Sequence, residues 1–254
     1  MLLKEFPAFM LRVRVHDSRD SMGEDAAISC AECINYLLET KKEINMIFAA
    51  APSQNDMLEN LLKQDIDWTK VRGFHQDEYI GIDADEPAGF GNWLRRAIFD
   101  KVPFMELHYL LCNADEAEAK CAEYTELLKK YPIDLIFLGI GENGHLAFND
   151  PAVADFNDPK MIKVVELDDV CRQQQVNDGC FPTLNDVPKQ AMSLTMSFIM
   201  SVPNAICVVP TDRKANAVYG ATRGPVTTAC PASILRQHKN AGLYLDKASA
   251  SKIL

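Results

Sequence analysis

Residues 134–151 decide how this chain folds, and they read Asp134-Leu-Ile-Phe-Leu-Gly-Ile-Gly-Glu-Asn-Gly-His-Leu-Ala-Phe-Asn-Asp-Pro151. The segment begins as an apolar run typical of a buried β-strand and then breaks into a loop with three glycines. Ligands of open α/β sheets bind beyond the carboxyl ends of the strands, where such loops lie. This loop is therefore the first candidate for a catalytic or binding site.

The residue types in the loop suit acid–base chemistry. Gly139 and Gly141 have no side chains, so backbone amides there can approach a substrate closely. His145 can titrate near neutral pH, and Asp150, five positions later, can orient its ring. Asn143 lies two positions before the histidine. We predict that Asn143, His145 and Asp150 form a catalytic group.

Working outward from the loop, strand-like and helical patterns alternate along the chain. Strands are predicted at 11–15, 44–51, 71–74, 108–112, 133–140, 161–167, 191–195, 205–209 and 242–245, and helices at 25–42, 56–62, 92–99, 116–130, 213–219 and 231–237. This alternation predicts a three-layer α/β fold with a mostly parallel, doubly wound, Rossmann-like sheet. Because no low-complexity linker divides the chain, a single domain is expected over residues 1–254.

The composition narrows the class of protein. With 254 residues, 48% of them hydrophobic, the chain can bury a large core, and its net charge of −10 argues against nucleic-acid binding. No apolar run reaches the roughly 18 residues of a membrane span, and the N-terminus lacks the features of a signal peptide. Eight cysteines without a disulfide-type framework indicate reduced thiols and a cytoplasmic protein.

Three further candidate positions follow predicted strands. In Ala51-Pro-Ser-Gln-Asn-Asp56, backbone amides at a helix start and the Ser53 hydroxyl can bind an anion, with Gln54 beside them; an ordinary helix cap is the alternative. Asp77, in Gln76-Asp-Glu-Tyr79, can act as a general base, although an acidic turn exposed to solvent also fits. Lys214, at a helix start, opposes the helix dipole unless it holds an anion; a solvated cation is the simpler reading.

Taken together, these positions give an anion-binding loop, a base, a histidine and a cation along one edge of one sheet. That combination predicts an enzyme that acts on a small phosphorylated molecule. No Walker loop is present and no cluster has metal-ligand spacing, so neither a cofactor nor a metal is expected. The sequence leaves the oligomeric state open, a homo-oligomer included.

Two segments resemble the signatures of the glucosamine-6-phosphate deaminase (isomerase) family. They are Phe74-His-Gln-Asp-Glu-Tyr-Ile-Gly81 and Leu138-Gly-Ile-Gly-Glu-Asn-Gly-His-Leu-Ala-Phe-Asn-Asp-Pro151, and similar segments fall at 187–195 and 213–215. The resemblance implies conversion of an amino-sugar phosphate to fructose 6-phosphate and ammonia, formally hydrolysis of a C–N bond, without cofactor or metal.

The resemblance also implies roles for individual residues. Asp77 would remove the proton from C2 of the open-chain sugar, and His145 would open the sugar ring, supported by Asn143 and Asp150. The loop at Ser53 and the cation Lys214 would hold the phosphate.

The sequence departs from the family pattern at four places. Asn143 stands where the family has aspartate, and Asp150 where it has glutamate. The glycine-rich phosphate loop is replaced by Pro52-Ser-Gln-Asn-Asp56, and the phosphate-binding arginine falls near 178–179, so that Arg172 is the expected substitute. These changes touch the phosphate site and the partner of the histidine, so the amino-sugar phosphate can differ from glucosamine 6-phosphate.

Two alternatives stay open at this point. A 6-phosphogluconolactonase shares the histidine loop but has no need of Asp77 as a carbon base. A sugar-phosphate-binding protein of the same fold would bind without turnover, and Asn143 is the feature that favours it.

Overall fold

The computed structural model describes residues 1–254 and is built on two sheets. The strands are β1 (Leu2–Ala8), β2 (Leu11–His16), β3 (Ile44–Phe48), β4 (Val71–His75), β5 (Asp77–Tyr79), β6 (Glu106–His108), β7 (Leu135–Leu138), β8 (Ile162–Glu166), β9 (Gln190–Leu194), β10 (Asn204–Val209) and β11 (Ala241–Asp246). The helices are α1 (Arg19–Thr40), α2 (Asn55–Leu61), α3 (Phe90–Leu94), α4 (Ala117–Lys130), α5 (Asp169–Asn177), α6 (Met196–Ser201) and α7 (Ala215–Arg223).

The main sheet has eight strands in the order β1-β2-β11-β10-β7-β3-β4-β6. All neighbours in it pair in parallel except β1 and β2, which form an antiparallel hairpin. Strands β5, β9 and β8 form a separate antiparallel sheet. The predicted mostly parallel, doubly wound sheet is confirmed, with β7 near its centre.

Strand β7 shows why helices cover both faces of the sheet. Successive side chains of a strand point to opposite faces. Leu135 and Phe137 therefore join the apolar cluster that packs against α1 and α2. Ile136 and Leu138 join the cluster on the other face, with residues of α4, α6 and α7. Each such fully buried side chain contributes about 1.5–3 kcal/mol to folding, so a continuous apolar run is stable only in this three-layer setting.

The sequence analysis missed or misplaced several elements. Strand β6 ends at His108, where a strand had been expected to begin, and β1, β5, α5 and α6 were not predicted. All eight cysteines are free. None of the helices is both long and apolar enough to cross a membrane.

Candidate active site

A cavity of about 460 Å³ lies at the carboxyl edge of the main sheet. The loops after β3, β4, β7 and β10 all contribute to its wall, because parallel strands end at the same edge. Asp77, His145 and Lys214 line this one cavity, as do Ser53, Gly139 and Gly141. Residues that are far apart in the sequence thus face one space large enough for a phosphorylated monosaccharide.

Asp77 presents an unusual carboxylate to the cavity. It is only 5% exposed, and burial raises its pKa well above the ordinary value, helped by the nearby charge of Glu78. No hydrogen bond from the protein reaches the Asp77 carboxylate to oppose this shift. A carboxylate with a raised pKa is a stronger base, which suits removal of a proton from carbon.

Glu78, the next residue, has a different environment. Its carboxylate accepts backbone hydrogen bonds from Tyr79, Phe90 and Gly91, at 2.8 to 3.0 Å. Burial still raises the pKa of Glu78 despite these bonds. Glu78 therefore anchors the start of α3 and Asp77 faces the cavity, since neighbouring residues on a strand point in opposite directions.

The loop after β7 holds His145 against Asp150. Nδ1 of His145 lies 2.9 Å from Oδ1 of Asp150, and Nδ2 of Asn143 donates to the same oxygen at 2.9 Å. Oδ1 of Asn143 accepts the His145 backbone N–H, so the amide holds both partners. Burial alone would raise the pKa of Asp150, but the hydrogen bonds from His145 and Asn143 lower it below its usual range.

Glycine is required in this loop for a steric reason. A Cβ at position 141 would overlap the ring of His145, and Gly144 has a φ of +87°. Gly139, Gly141 and Gly144 have the spacing of the dinucleotide-binding fingerprint, so the expectation that the sequence lacks this fingerprint, on which the exclusion of a nucleotide cofactor partly rested, was wrong. No helix follows these glycines before α5, so the helix N-terminus on which that fingerprint depends is missing.

The cationic end of the cavity centres on Lys214. This residue is 7% exposed, and its ammonium group has no hydrogen-bond or ion-pair partner. Burial lowers the pKa of Lys214, which the charges of Asp178 and Glu142 partly oppose. Neighbouring Arg213 is paired with Asp178 at 3.0 Å and lies 3.8 Å from Glu142. The free ammonium is therefore available for an anionic ligand.

Two predicted binding residues do not face the cavity. Arg172 donates to the backbone carbonyls of Leu184 and Val187, and it is absent from the cavity wall. Gln54 is fully buried beneath the wall, where its amide donates to Ser53 Oγ and the carbonyl of Leu138. Both side chains hold loops in place.

The sequence analysis missed two other cavity residues with cationic side chains. Arg19, in the first turn of α1, donates to the carbonyl of Pro52 and pairs with Asp56, and Arg96 also lines the cavity. A signal for Arg19 was present, because a cation in the first turn of a helix opposes the helix dipole.

One group has the residue types of a metal site. Ligand atoms of His145, Asp150 and Cys171 lie within 4.8 Å of one another, all buried. Burial raises the pKa of the Cys171 thiol well above its usual value, and the charge of Asp150 adds to this shift. Metals bind the thiolate, so the donor set fits a neutral thiol beside the close contact between His145 and Asp150 better than a metal.

Comparison with known proteins gives a consistent set of relatives. The family model for glucosamine-6-phosphate isomerases and 6-phosphogluconolactonases matches residues 17–244. The glucosamine-6-phosphate deaminase of Listeria welshimeri is 35% identical over 213 residues, which cover 84% of this chain and 89% of that protein. The corresponding deaminase of Enterococcus faecalis is 31% identical over 205 residues, covering 81% and 86%.

Solved structures are similar along almost the whole chain. A monomeric glucosamine-6-phosphate deaminase superposes with a TM-score of 0.85 at 25% identity, covering 94% of this chain and 98% of that one. The 6-phosphogluconolactonase of Trypanosoma brucei has a TM-score of 0.77 at 18% identity, covering 99% and 100%. The second likeness shows a shared fold alone.

Proposed function

The chain belongs to the family of glucosamine-6-phosphate isomerases and 6-phosphogluconolactonases, and on that premise we propose that it is an amino-sugar-phosphate deaminase. The substrate is glucosamine 6-phosphate or a close relative, and the products are fructose 6-phosphate and ammonia. The observation that carries this assignment is that Asp77, His145 and Lys214 line one cavity.

Asp77 is the base in this proposal. It takes the proton from C2 of the open-chain sugar, and the electrons of the C–H bond form a C1–C2 double bond. The C1 carbonyl π electrons move onto its oxygen, which takes a proton from solvent, so the intermediate has a hydroxyl on C1 and the amine on C2. Return of a proton to C1 produces an imine at C2. Burial supports this role because it raises the pKa of Asp77, and a stronger base lowers the barrier to carbon deprotonation.

Release of ammonia completes the reaction. Water adds to the C2 imine, the nitrogen leaves as ammonia and a ketone forms at C2. The overall change consumes one water molecule, which is why the activity is formally hydrolytic although its central step is an isomerisation.

His145 opens the sugar ring in this scheme. Its Nδ1 is held by Asp150, so Nε2 is the nitrogen left to exchange a proton with the ring oxygen and the C1 hydroxyl. Asp150 carries the charge that stabilises the ring when it gains this proton, and its lowered pKa keeps it ionised. Asn143 orients both groups and adds no charge of its own.

The phosphate binds at the cationic end of the cavity. The unpaired ammonium of Lys214 and the Ser53 hydroxyl both line the cavity, as do Arg19, which is paired with Asp56, and Arg213, which is paired with Asp178. A buried ammonium without a partner is costly, and a phosphate oxygen relieves that cost through a charge-assisted hydrogen bond.

The test is to incubate the protein with a panel of hexosamine 6-phosphates and to follow ammonia and ketose formation together. Stoichiometric release of both from at least one member supports the proposal. Opening of 6-phosphogluconolactone without deamination, or tight binding of the sugar phosphates without turnover, would replace it with one of the two alternatives.

A further inference from the structure

His75 lies next to the proposed base but faces away from the cavity. It is fully buried at the end of β4, and its ring has partners on both nitrogens. The backbone N–H of Leu110 donates to Nε2 at 2.9 Å, so this nitrogen carries no proton. In the neutral ring the proton therefore lies on Nδ1, which donates to the backbone carbonyl of Asp77 at 2.9 Å.

Tyr124 holds the same piece of chain from the other side. Its hydroxyl donates to the carbonyl of His75 at 2.8 Å and accepts the backbone N–H of His75 at 3.1 Å. The backbone of His75 is thus bonded to Tyr124 of α4, and the imidazole of His75 is bonded to the backbone carbonyl of Asp77. Few degrees of freedom remain for the backbone that carries the Asp77 carboxylate.

The imidazole fixes this turn without adding charge. Burial lowers the pKa of His75 to about 4, so the ring is neutral at physiological pH. A charged group at the same place would attract the Asp77 carboxylate electrostatically and weaken it as a base. A neutral ring in a single tautomer leaves the raised pKa of Asp77 intact.

We propose that His75 is the positioning residue for the Asp77 base, acting through the hydrogen bond from its Nδ1–H to the Asp77 backbone carbonyl. This inference rests on the proposed function for the role of Asp77, while the hydrogen-bond geometry stands independently of it. Loss of this bond lets the carboxylate move relative to C2 of the substrate and slows proton transfer, but it leaves the phosphate site unchanged.

Two single substitutions separate the two bonds of the ring. In His75→Asn the side-chain N–H₂ lies where Nδ1 was and still reaches the Asp77 carbonyl, but the Leu110 N–H loses its acceptor. In His75→Gln the amide oxygen reaches the position of Nε2 and accepts from Leu110, but the bond to Asp77 is lost. Each variant breaks one buried hydrogen bond, so the two are matched for structural damage.

We expect the two variants to differ in kcat and to keep a KM close to that of the wild type. A displacement of about 1 Å in a catalytic group costs on the order of 100-fold in rate, so kcat of His75→Gln falls by that order. His75→Asn keeps kcat within about 5-fold of wild type, and both variants keep KM within about 3-fold. Equal losses of kcat in the two variants, or a rise in KM, would overturn the proposal.

A second measurement does not depend on activity. The ¹⁵N chemical shifts of His75 show a protonated Nδ1 and an acceptor Nε2 in the wild type, and crystal structures show Asp77 displaced in His75→Gln but not in His75→Asn. If the wild type has no deaminase activity yet Asp77 moves as described, the proposed function fails and the positioning role stands. If Asp77 stays in place in both variants, the positioning role fails. Should His75→Gln not fold, Tyr124→Phe tests the same turn, with a loss in kcat of about 5-fold.

Discussion

Asp77 lines the cavity, and Asp150 lies behind His145, outside the cavity wall; both are buried carboxylates, yet their surroundings shift their pKa values in opposite directions. Asp77 accepts no hydrogen bond, so burial raises its pKa, and the nearby charge of Glu78 adds to the shift. Asp150 is held by His145 and Asn143, and these donors lower its pKa despite similar burial. The comparison shows that burial alone does not set the state of a carboxylate; the donors that surround it do.

The difference between Asp77 and Asp150 gives the two carboxylates different chemical roles. Asp77, which has no hydrogen-bond donors, readily accepts a proton. Asp150, which is held by an imidazole and an amide, stays charged and stabilises the protonated form of His145. Substitutions at either carboxylate's surroundings, or at the anion site around Lys214, test this contrast.

The largest effect is expected from Asp77→Asn. The amide keeps the shape of the side chain but cannot accept the C2 proton, so kcat should fall by about 10³-fold or more with KM within about 3-fold of wild type. Ammonia release and loss of deuterium from C2-deuterated substrate measure the step directly.

Glu78→Gln is the matched control for the neighbouring carboxylate. Because Glu78 anchors α3 and does not line this cavity, kcat should fall less than about 10-fold while thermal stability drops. Retention of more than a tenth of wild-type kcat in Asp77→Asn would remove Asp77 from the mechanism.

Lys214→Gln tests the anion site. Loss of the buried ammonium should lower kcat/KM by about 100-fold, mostly through KM, because a charge-assisted bond to phosphate is lost. Inhibition by inorganic phosphate should weaken in parallel.

Arg213→Gln serves as its control. Arg213 is nearly half exposed and already paired with Asp178, so a loss of about 5-fold is expected. If both variants lose the same factor, the phosphate does not depend on the unpaired cation.

Asn143→Asp removes a hydrogen-bond donor from Asp150 and so makes its environment more like that of Asp77. The new carboxylate would face Oδ1 of Asp150 in place of a donor, which raises the pKa of Asp150 and weakens its support of His145. We expect kcat to fall about 10-fold, compared with about 3-fold for Asn143→Ala, which removes the donor without adding charge. A rate above wild type in Asn143→Asp would show that His145 gains from a second anionic partner.

The smallest effect concerns stability against pH. The pKa of His75 is about 4 in the folded protein, against about 6.5 in an unfolded chain. Between these values the unfolded chain binds the proton and the folded protein does not, so stability falls as pH falls from about 6.5 to about 4. The loss amounts to about 3 kcal/mol.

Urea unfolding at several pH values across this interval measures the loss. His75→Gln should show a shallower decline than wild type, because its amide does not titrate. Some slope will remain, since burial also lowers the pKa of His238. An unchanged slope would mean that folding does not lower the pKa of His75.

The sequence predicted the central strands of the main sheet better than the short or polar elements around the cavity. Runs such as 133–140 and 205–209 are strongly apolar, and both became central strands of the main sheet. Helix α5 was missed because Asp169–Asn177 is mostly polar and shows no apolar stripe, so periodicity gave no signal. Strand β5 has three residues, which is too short for any alternation to show.

Arg172 was expected to bind the phosphate, but its position along the sequence does not show which way its side chain points. Gln174 and Gln175 on the same helix line the cavity, but Arg172 does not. Arg172 shares a helix face with Gln175, three residues further on, but its guanidinium donates to the carbonyls of Leu184 and Val187 and so stays out of the cavity wall. Which of these helix side chains faces the site depends on how α5 packs, and the sequence carries no direct record of that.

What the sequence determined by itself is the alternation of the strongly apolar strands with the longer amphipathic helices, and the glycine-rich loop that carries His145. These features depend on local periodicity and local sterics, which a linear chain displays. The tertiary structure alone decided that Asp77 has no donors, that Asp150 has two and that His75 is neutral. A pKa in a folded protein depends on solvent exclusion and on partners such as Leu110 and Tyr124. Those partners come close only after the sheet has formed.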